Sequence, residues 1–337
     1  MSHTRNLDIA GVRLVIRSSL PVLWPDPDHA YRTFLDGDGR RIPTAIRLTL
    51  VAAPCRRLAH ARKVFDGGST WALFRDGARR YIVRKSPGGG TPLWVARIAP
   101  GLASAVVHCG RKLFGEHGGQ RFIANPVRYP LDQLLLMYGL ASAEGALIHA
   151  AGADVAGCGF VFPGRSEAGK STLARILARR SDVGMLSDDR VIVRRHGRAL
   201  RAWGTPWPGS EGIAANRSAP LAGVFFLRHS RCNVLRRLSP SEAFERLLPV
   251  CSIPWYEPDV ADPLLIFLRR LAARVPAYDL GFVPDHRVGG LLSAVAAAGP
   301  CGSPGSASRV NSSGVVGSDA PARRRRRTTR RSAVPSG

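Results

Sequence analysis

The chain has 337 residues, of which 45% are hydrophobic and 7% aromatic, so it is long enough for about two domains with ordinary cores. No run approaches 18 apolar residues and the first residues carry no signal-like apolar block, which argues against a membrane-spanning or exported protein and makes us expect a cytoplasmic one. Six cysteines are scattered without a C-x-x-C pair, so we expect reduced thiols and no zinc site.

The net charge of +25 is carried by Arg, since the 49 basic residues include only four Lys. Residues 302–337 contribute +7, and the rest of the chain keeps about +18. A basic surface of this kind suits nucleic acid, but it attracts an acidic peptide or ATP equally well. The bias to Arg, Ala, Gly and Pro is typical of a GC-rich genome, and no nucleic-acid-binding signature is present. The composition therefore disfavours nucleic acid as the ligand.

Residues 1–125 are predicted to form a β-rich N-terminal module. Short segments rich in aliphatic and aromatic residues alternate with turn signals. The segments are 7–16, 44–51, 71–74, 80–83 and 93–97, and the turns are 37–39, 66–68, 76–77 and 87–90. The Asp76-Gly77 pair is a strong hairpin signal. Nothing here has catalytic spacing, so structural support and binding of a substrate peptide both remain open.

A helix is predicted at residues 129–140, with Pro130 at its first turn and an apolar face for packing. Residues 147–150 (LIHA) form the next apolar segment, and turn-like residues 152–159 follow it. This segment is expected to pair as an antiparallel hairpin with the strand at 159–163. An ordinary parallel nucleotide-binding sheet does not contain such a hairpin.

The stretch GRSEAGKS fits the phosphate-loop pattern G-x-x-x-x-G-K-[ST], between a buried strand at 159–163 and a helix at 171–180. Its backbone N–H groups are expected to surround phosphate oxygens, Lys170 to reach the β and γ phosphates, and Ser171 to bind Mg²⁺. Lys170 is the only Lys after position 112, which indicates that a compact ammonium is needed there. ATP and Mg²⁺ are thus the expected cofactors. The residues predicted to bind the nucleotide are Gly164, Arg165, Ser166, Glu167, Ala168, Gly169, Lys170, Ser171 and Thr172.

Two adjacent acids, Asp188 and Asp189, follow the phosphate loop between residues 184–186 and the strand-like residues 191–193. In an extended segment they point to opposite faces, so one can meet the Mg²⁺ of the nucleotide while the other has a different role. A solvated turn is the alternative for this pair. His149, within LIHA, is either catalytic or a core histidine with satisfied hydrogen bonds.

Together, LIHA, GFVFPGRSEAGKST and LSDDRV resemble the C-terminal catalytic domain of the HPr kinase/phosphorylase family, over about residues 146–195. The resemblance implies an α/β fold of α+β character, similar to the phosphoenolpyruvate carboxykinases, with a mixed sheet and flanking helices. It also implies that Asp188 is the base on a serine hydroxyl, that His149 lies beside it, and that Ser171 and Asp189 lie by the metal.

The family's glycine-rich signature after the Asp pair is missing, and residues 203–212 read WGTPWPGSEG instead. In this respect the chain resembles a divergent branch associated with peptide modification, including lasso-peptide clusters, whose kinases phosphorylate a serine of a precursor peptide. HPr itself is then not expected as the substrate. HPr-type enzymes are oligomers, and the resemblance leaves a homo-oligomer open.

Residues 204–220 are too rich in Gly and Pro for a regular element and are predicted to form an active-site loop. Its candidates for substrate contact are Glu211, which could also bind metal, and Asn216, with Arg217 for phosphate charge. A solvated loop is the alternative. The elements predicted around it are a hairpin of 191–195 with 199–203, a strand at 221–228, a capping box opening a helix at Ser239, a helix at 264–275 and a strand at 278–283.

The sequence thus predicts three parts: a β-rich module at 1–125, a catalytic phosphate-loop domain at 126–298, and a disordered Arg-rich tail at 299–337. The expected activity is that of an ATP-dependent serine kinase acting on a peptide or protein. Two alternatives remain: a nucleotide-gated binding module that transfers no phosphoryl group, and a small-molecule kinase.

Overall fold

The structure, a computed structural model, describes residues 2–24, 26–37, 42, 44–164 and 168–298. The predicted tail at 299–337, most of the predicted turn at 37–39, and Arg165, Ser166 and Glu167 of the phosphate loop lie outside the described residues. The described chain has a mixed α/β fold, in which a β-rich N-terminal part precedes a mixed sheet flanked by helices.

The N-terminal part contains one eight-stranded mixed sheet, in the order β1-β2-β4-β9-β8-β7-β6-β5, and a small sheet, β10-β11-β3. Its strands are β1 His3–Ile9, β2 Val12–Ser18, β3 Val22–Leu23, β4 Thr44–Val51, β5 Arg62–Gly67, β6 Trp71–Asp76, β7 Arg79–Arg84, β8 Trp94–Ile98, β9 Ser104–Cys109, β10 Phe114–His117 and β11 Gln120–Ala124. A 3₁₀ segment, Asp26–Phe34, links β3 to β4.

Most strand predictions in this part are confirmed, but one is wrong. Residues 7–16 are a hairpin rather than one strand, because Ala10 and Gly11 both have positive φ (49° and 74°) and reverse the chain. The hairpin predicted at Asp76-Gly77 is confirmed, with Gly77 at φ 57°. Strands β3, β5, β9, β10 and β11 were not predicted.

The second part runs from α1 to α5. Its elements are α1 Leu131–Ser142, β12 Gly145–Val155, β13 Cys158–Pro163, α2 Lys170–Ala178, β14 Val183–Ser187, β15 Arg190–His196, β16 Ala199–Trp203, β17 Ser218–His229, β18 Val234–Arg237, α3 Pro240–Leu247, α4 Pro258–Arg274, β19 Ala277–Phe282 and α5 Arg287–Ala298. The hairpins β12–β13 and β15–β16 and the capping box at Ser239 are confirmed. Strands β14 and β18 and helix α5 were not predicted.

Two long strands shape this sheet by changing partners along their length. The first half of β12 pairs with β15, and its second half pairs with β13 and β14. Strand β17 begins against β16 and continues in parallel with β13 and then β19. The carboxyl ends of β13, β17 and β19 therefore meet at one edge of the sheet, where the phosphate loop begins.

Two boundaries and the burial of one helix differ from the predictions. The β12–β13 turn is confined to Ala156 and Gly157 (φ 49° and 84°) rather than spanning 152–159, so Gly152 lies inside β12. Helix α4 begins at Pro258, not near 264, and continues through Pro263. Helix α1 is buried on nearly all sides instead of along one stripe, because it lies between the two parts of the chain.

One hydrophobic core crosses from the N-terminal sheet through α1 to α4 and β12, and a second lies between the sheet and helices α2 and α5. The first two sheets end at Ala124 and the next begins at Gly145, while the shared core joins them. The domain boundary at 125 therefore stays a prediction. No helix in the described part of the chain is long and apolar enough to cross a membrane.

Candidate active site at the phosphate loop

The frame of the phosphate loop has the predicted order of strand, loop and helix. Strand β13 ends at Pro163, and α2 begins at Lys170 after Gly169, whose φ is 95°. A Cβ on Gly169 would lie 2.9 Å from Cζ of Phe282, and one on Gly164 would lie 2.8 Å from Cβ of Ala168. Only glycine fits both positions without displacing a neighbour. Ser171 and Thr172 follow in the first turn of α2.

The Lys170 side chain lies inside this loop and is only 8% exposed. Its Nζ donates a hydrogen bond to the carbonyl oxygen of Gly164 at 2.6 Å. Burial lowers the pKa of Lys170, and the nearby carboxylate of Asp189 opposes that effect. An ammonium largely removed from water attracts an anion more strongly than one in water, so a phosphate group at this position gains from the low dielectric.

Asp189 connects the strands next to the loop. Its Oδ1 lies 2.9 Å from Nε2 of His149 and its Oδ2 lies 3.2 Å from Nε of Arg190. His149 and Arg190 face each other across the β12–β15 pair. Burial raises the pKa of Asp189, but the hydrogen bond from His149 and the charges of Arg190 and Lys170 outweigh it, so the pKa falls below its usual value. Asp189 is thus an ionised carboxylate, 29% exposed, within electrostatic reach of Lys170.

Asp188 has different partners. It is 2% exposed, and its two oxygens accept the backbone N–H groups of Gly209 and Glu211 at 2.9 and 2.7 Å. A buried carboxylate occupied in this way holds the 209–211 backbone in place. The role of Asp188 as base stays a prediction, and this geometry favours Asp189 as the acid that meets reacting groups.

The active-site loop predicted at 204–220 spans only 204–217, because β17 begins at Ser218, and it is fixed on several sides. Thr205 donates to the carbonyl oxygen of Arg190 at 2.7 Å. Trp207 Nε1 and the Tyr31 hydroxyl both donate to Oδ2 of Asp132, at 2.8 and 2.6 Å. Asp132 is fully buried, and burial raises its pKa to about 6. Sequence reasoning missed this connection, because Asp132 reads as an ordinary acidic residue in the first turn of α1.

The three residues predicted for substrate contact lie in three different places. Glu211 receives two hydrogen bonds from Arg175 on α2, at 3.0 and 2.7 Å, which lowers its pKa. Asn216 donates to the carbonyl oxygen of Thr33 in the N-terminal part. Arg217 lies 3.9 Å from Asp154. Asp154 is four residues along β12 from Ala150, which pairs with the last residue of β13, and this corresponds to about 13 Å of strand. Asn216 and Arg217 are therefore held by partners other than Lys170, and their contacts with substrate and phosphate stay predictions.

The donor set around the loop suits Mg²⁺. Ser171 lies next to Ser210, whose hydroxyl donates to Ser171 Oγ at 3.1 Å, and Asp189 supplies a carboxylate. Within the described ranges, no group of three or more His, Cys, Asp and Glu side chains is placed to hold a metal ion. Mg²⁺ commonly takes one or two protein oxygens and completes its shell with substrate phosphates and water. The Ser171 hydroxyl and the Asp189 carboxylate, beside the phosphate loop, match this pattern of coordination.

No family model matches the chain, and no curated protein matches it. The likeness to the HPr kinase/phosphorylase family therefore rests on the LIHA, GRSEAGKST and LSDDRV motifs alone. Within the described ranges, no disulfide joins any two of Cys55, Cys109, Cys158, Cys232 and Cys251.

Proposed function

We propose that the chain is an ATP-dependent kinase with an HPr-kinase-like phosphate-loop fold, which transfers the γ-phosphoryl group of ATP to a serine hydroxyl of a peptide or protein. One observation carries the proposal. Lys170 from α2, Asp189 from the β14–β15 turn and His149 from β12 come from separate elements and meet at the edge where the phosphate loop begins. A phosphoryl-transfer role would explain why these three side chains converge at that edge.

Lys170 and the N-terminal N–H groups of α2 would bind the β and γ phosphates, where negative charge must be balanced during transfer. Ser171, with Asp189 nearby, would hold Mg²⁺, which when bound neutralises phosphate charge and orients the donor. On nucleotide binding, the ammonium of Lys170 would exchange the carbonyl oxygen of Gly164 for a phosphate oxygen. Arg190, already next to Asp189, adds positive charge on the same side.

Asp189 would accept the proton of the acceptor hydroxyl, in place of the Asp188 expected from the resemblance. His149 donates a hydrogen bond to one oxygen of Asp189 and would thereby fix the orientation of this proposed catalytic base. Asp188 would keep the 209–211 backbone next to Ser171, so that the site has a fixed wall on that side.

The acceptor we propose is a serine in a peptide or protein, such as a ribosomally made precursor peptide of the lasso type. A small-molecule acceptor would not need the N-terminal part, yet this part contacts the active-site loop through Tyr31, Asp132 and Trp207. The basic net charge favours an acceptor with acidic flanking residues.

The test is a comparison of serine phosphorylation, by mass spectrometry, in cells that express the parent chain or Lys170→Ala together with the precursor peptides of neighbouring genes. The proposal requires a phosphoserine that depends on Lys170. Binding of ATP without any dependent phosphoserine would favour a nucleotide-gated binding module, and phosphorylation of only a metabolite would favour a small-molecule kinase.

A further inference from the structure

Two chain connections stand beside the phosphate loop and have no role in the chemistry described above. The first, residues 229–233, joins β17 to β18, and the second, residues 282–287, joins β19 to α5. Both follow strands that run parallel to β13, so they lie at the same sheet edge as the loop. In open sheets with parallel strands, ligands bind outside the carboxyl ends of the strands.

The strand register shows that these connections lie beyond the carboxyl end of β13, where the loop starts. Val161 of β13 pairs with Val224 of β17, and β13 ends two residues later, at Pro163. Strand β17 continues five residues beyond Val224 to His229, which pairs with Phe282 of β19. The extra three residues correspond to about 10 Å of strand, enough to form a wall along one side of the loop.

The wall touches the loop at Gly169. A Cβ at Gly169 would lie 2.9 Å from Cζ of Phe282 and 3.8 Å from Cε1 of His229. The imidazole of His229 is nearly parallel to the Phe282 ring, at 23° and 6.5 Å between centroids. Phe282 is 1% exposed, whereas His229 is exposed, so a flat ring supported from beneath is presented to solvent next to the phosphate loop.

The two connections are tied to each other. Ser230 donates its N–H to the carbonyl oxygen of Phe282 at 3.3 Å, and Val283 donates its N–H to Oδ1 of Asn233 at 2.9 Å. Arg287 is held by Asp285. The ring of His229 therefore belongs to an ordered surface, which binds a rigid planar group at little entropic cost.

We infer that these connections form a nucleoside subsite, so that the phosphoryl donor is a nucleoside triphosphate whose base or ribose packs on His229, and not inorganic polyphosphate or pyrophosphate. This inference rests on the proposed function, because it needs phosphates in the loop. It goes further by identifying which part of the donor the sheet edge recognises. A bare polyphosphate would fill the loop and leave the wall uncovered.

Cys232 provides a reporter within the subsite. It is the one cysteine in the described ranges whose side chain is exposed, and it lies three residues after His229. The experiment measures the rate at which N-ethylmaleimide modifies Cys232 in the full chain, with peptide mass spectrometry to separate Cys232 from Cys301. The additions are Mg²⁺ alone, Mg²⁺ with ATP, and Mg²⁺ with tripolyphosphate, and thermal unfolding records whether each one binds.

At about ten times the Kd, ATP leaves about one-tenth of the chains free, so it should slow Cys232 labelling about tenfold. Tripolyphosphate should raise the melting temperature and leave the labelling rate unchanged. Equal protection by both compounds, or ATP binding without protection, would overturn the subsite while leaving the phosphate loop intact. If neither compound raises the melting temperature, the proposed function and the subsite both fail.

A matched pair of variants supplies a second readout. His229→Ala should weaken ATP binding about tenfold through loss of stacking and leave tripolyphosphate binding unchanged. His117→Ala, which alters another exposed histidine on β10 of the small N-terminal sheet, should change neither. Equal ATP affinity in His229→Ala and the parent would contradict the inference.

Discussion

Replacing Asp188 by Ala should destabilise the protein far more than replacing Asp189 by Asn. Asp188 is 2% exposed and accepts two backbone N–H groups, at 2.9 and 2.7 Å, which alanine would leave without an acceptor. Each unmade hydrogen bond costs roughly 1–3 kcal/mol. Because Gly209 is exposed, water can bind its N–H and recover part of this cost, so we expect the free energy of unfolding to fall by about 3 kcal/mol. Asp189→Asn keeps the size of a 29% exposed side chain and should cost less than about 1 kcal/mol.

Urea denaturation followed by tryptophan fluorescence measures both changes. Asp154→Ala is the matched control, since Asp154 accepts a single backbone N–H, that of Gly157, in an exposed turn, and it should cost about 0.5 kcal/mol. A larger loss of unfolding free energy in Asp189→Asn than in Asp188→Ala would refute the division of roles between the two acids. An Asp188→Ala variant as stable as the parent would do the same.

Three other changes test the fold around the site. Glu257→Gln should cost about 3 kcal/mol in urea denaturation, because Glu257 is fully buried against Arg80 at 2.7 Å and the guanidinium would lose its counter-charge. Burial raises the pKa of Asp132 from 3.8 to about 6, so the folded state binds the proton more tightly than the unfolded chain, and folding stability should fall as pH rises from about 4 to 6. The Asp132→Asn variant, measured over the same pH range, should lack that slope. Ser239→Ala should cost about 1 kcal/mol by removing the capping box with Glu242, and thermal unfolding of the variant at neutral pH would show it.

The sequence predicts those parts of the fold in which a local pattern decides the structure. The phosphate loop needs glycines at fixed positions, the Asp76-Gly77 turn needs a positive φ, and the capping box needs Ser239 three residues before Glu242, so all three can be predicted from neighbouring residues. Helix α1 shows the opposite case. Because it is buried on nearly every side, its residues carry no polar stripe that predicts where each face points.

Partners distant in the sequence explain what was missed at the site. Asp188 and Asp189 are adjacent and chemically alike, and only the positions of Gly209 and His149 give them different partners. In the same way, Asp132 becomes a buried acceptor for Tyr31 and Trp207, which lie 101 and 75 residues away. Sequence patterns among neighbouring residues cannot predict such contacts between distant residues. The motif spacing therefore identifies the candidate residues, and the sheet topology is needed to divide their roles.

The central claim is that Lys170 and Asp189 serve one phosphoryl-transfer site, and a single-turnover measurement of γ-phosphoryl loss from bound ATP tests it most directly. Asp189→Asn should bind Mg²⁺ and ATP more weakly than the parent, because an amide replaces the carboxylate beside the metal, and at saturating Mg²⁺ and ATP it should transfer the phosphoryl group about a hundredfold more slowly. Lys170→Ala should lose ATP binding as well. Parental transfer rates in Asp189→Asn, with ATP bound, would contradict the claim.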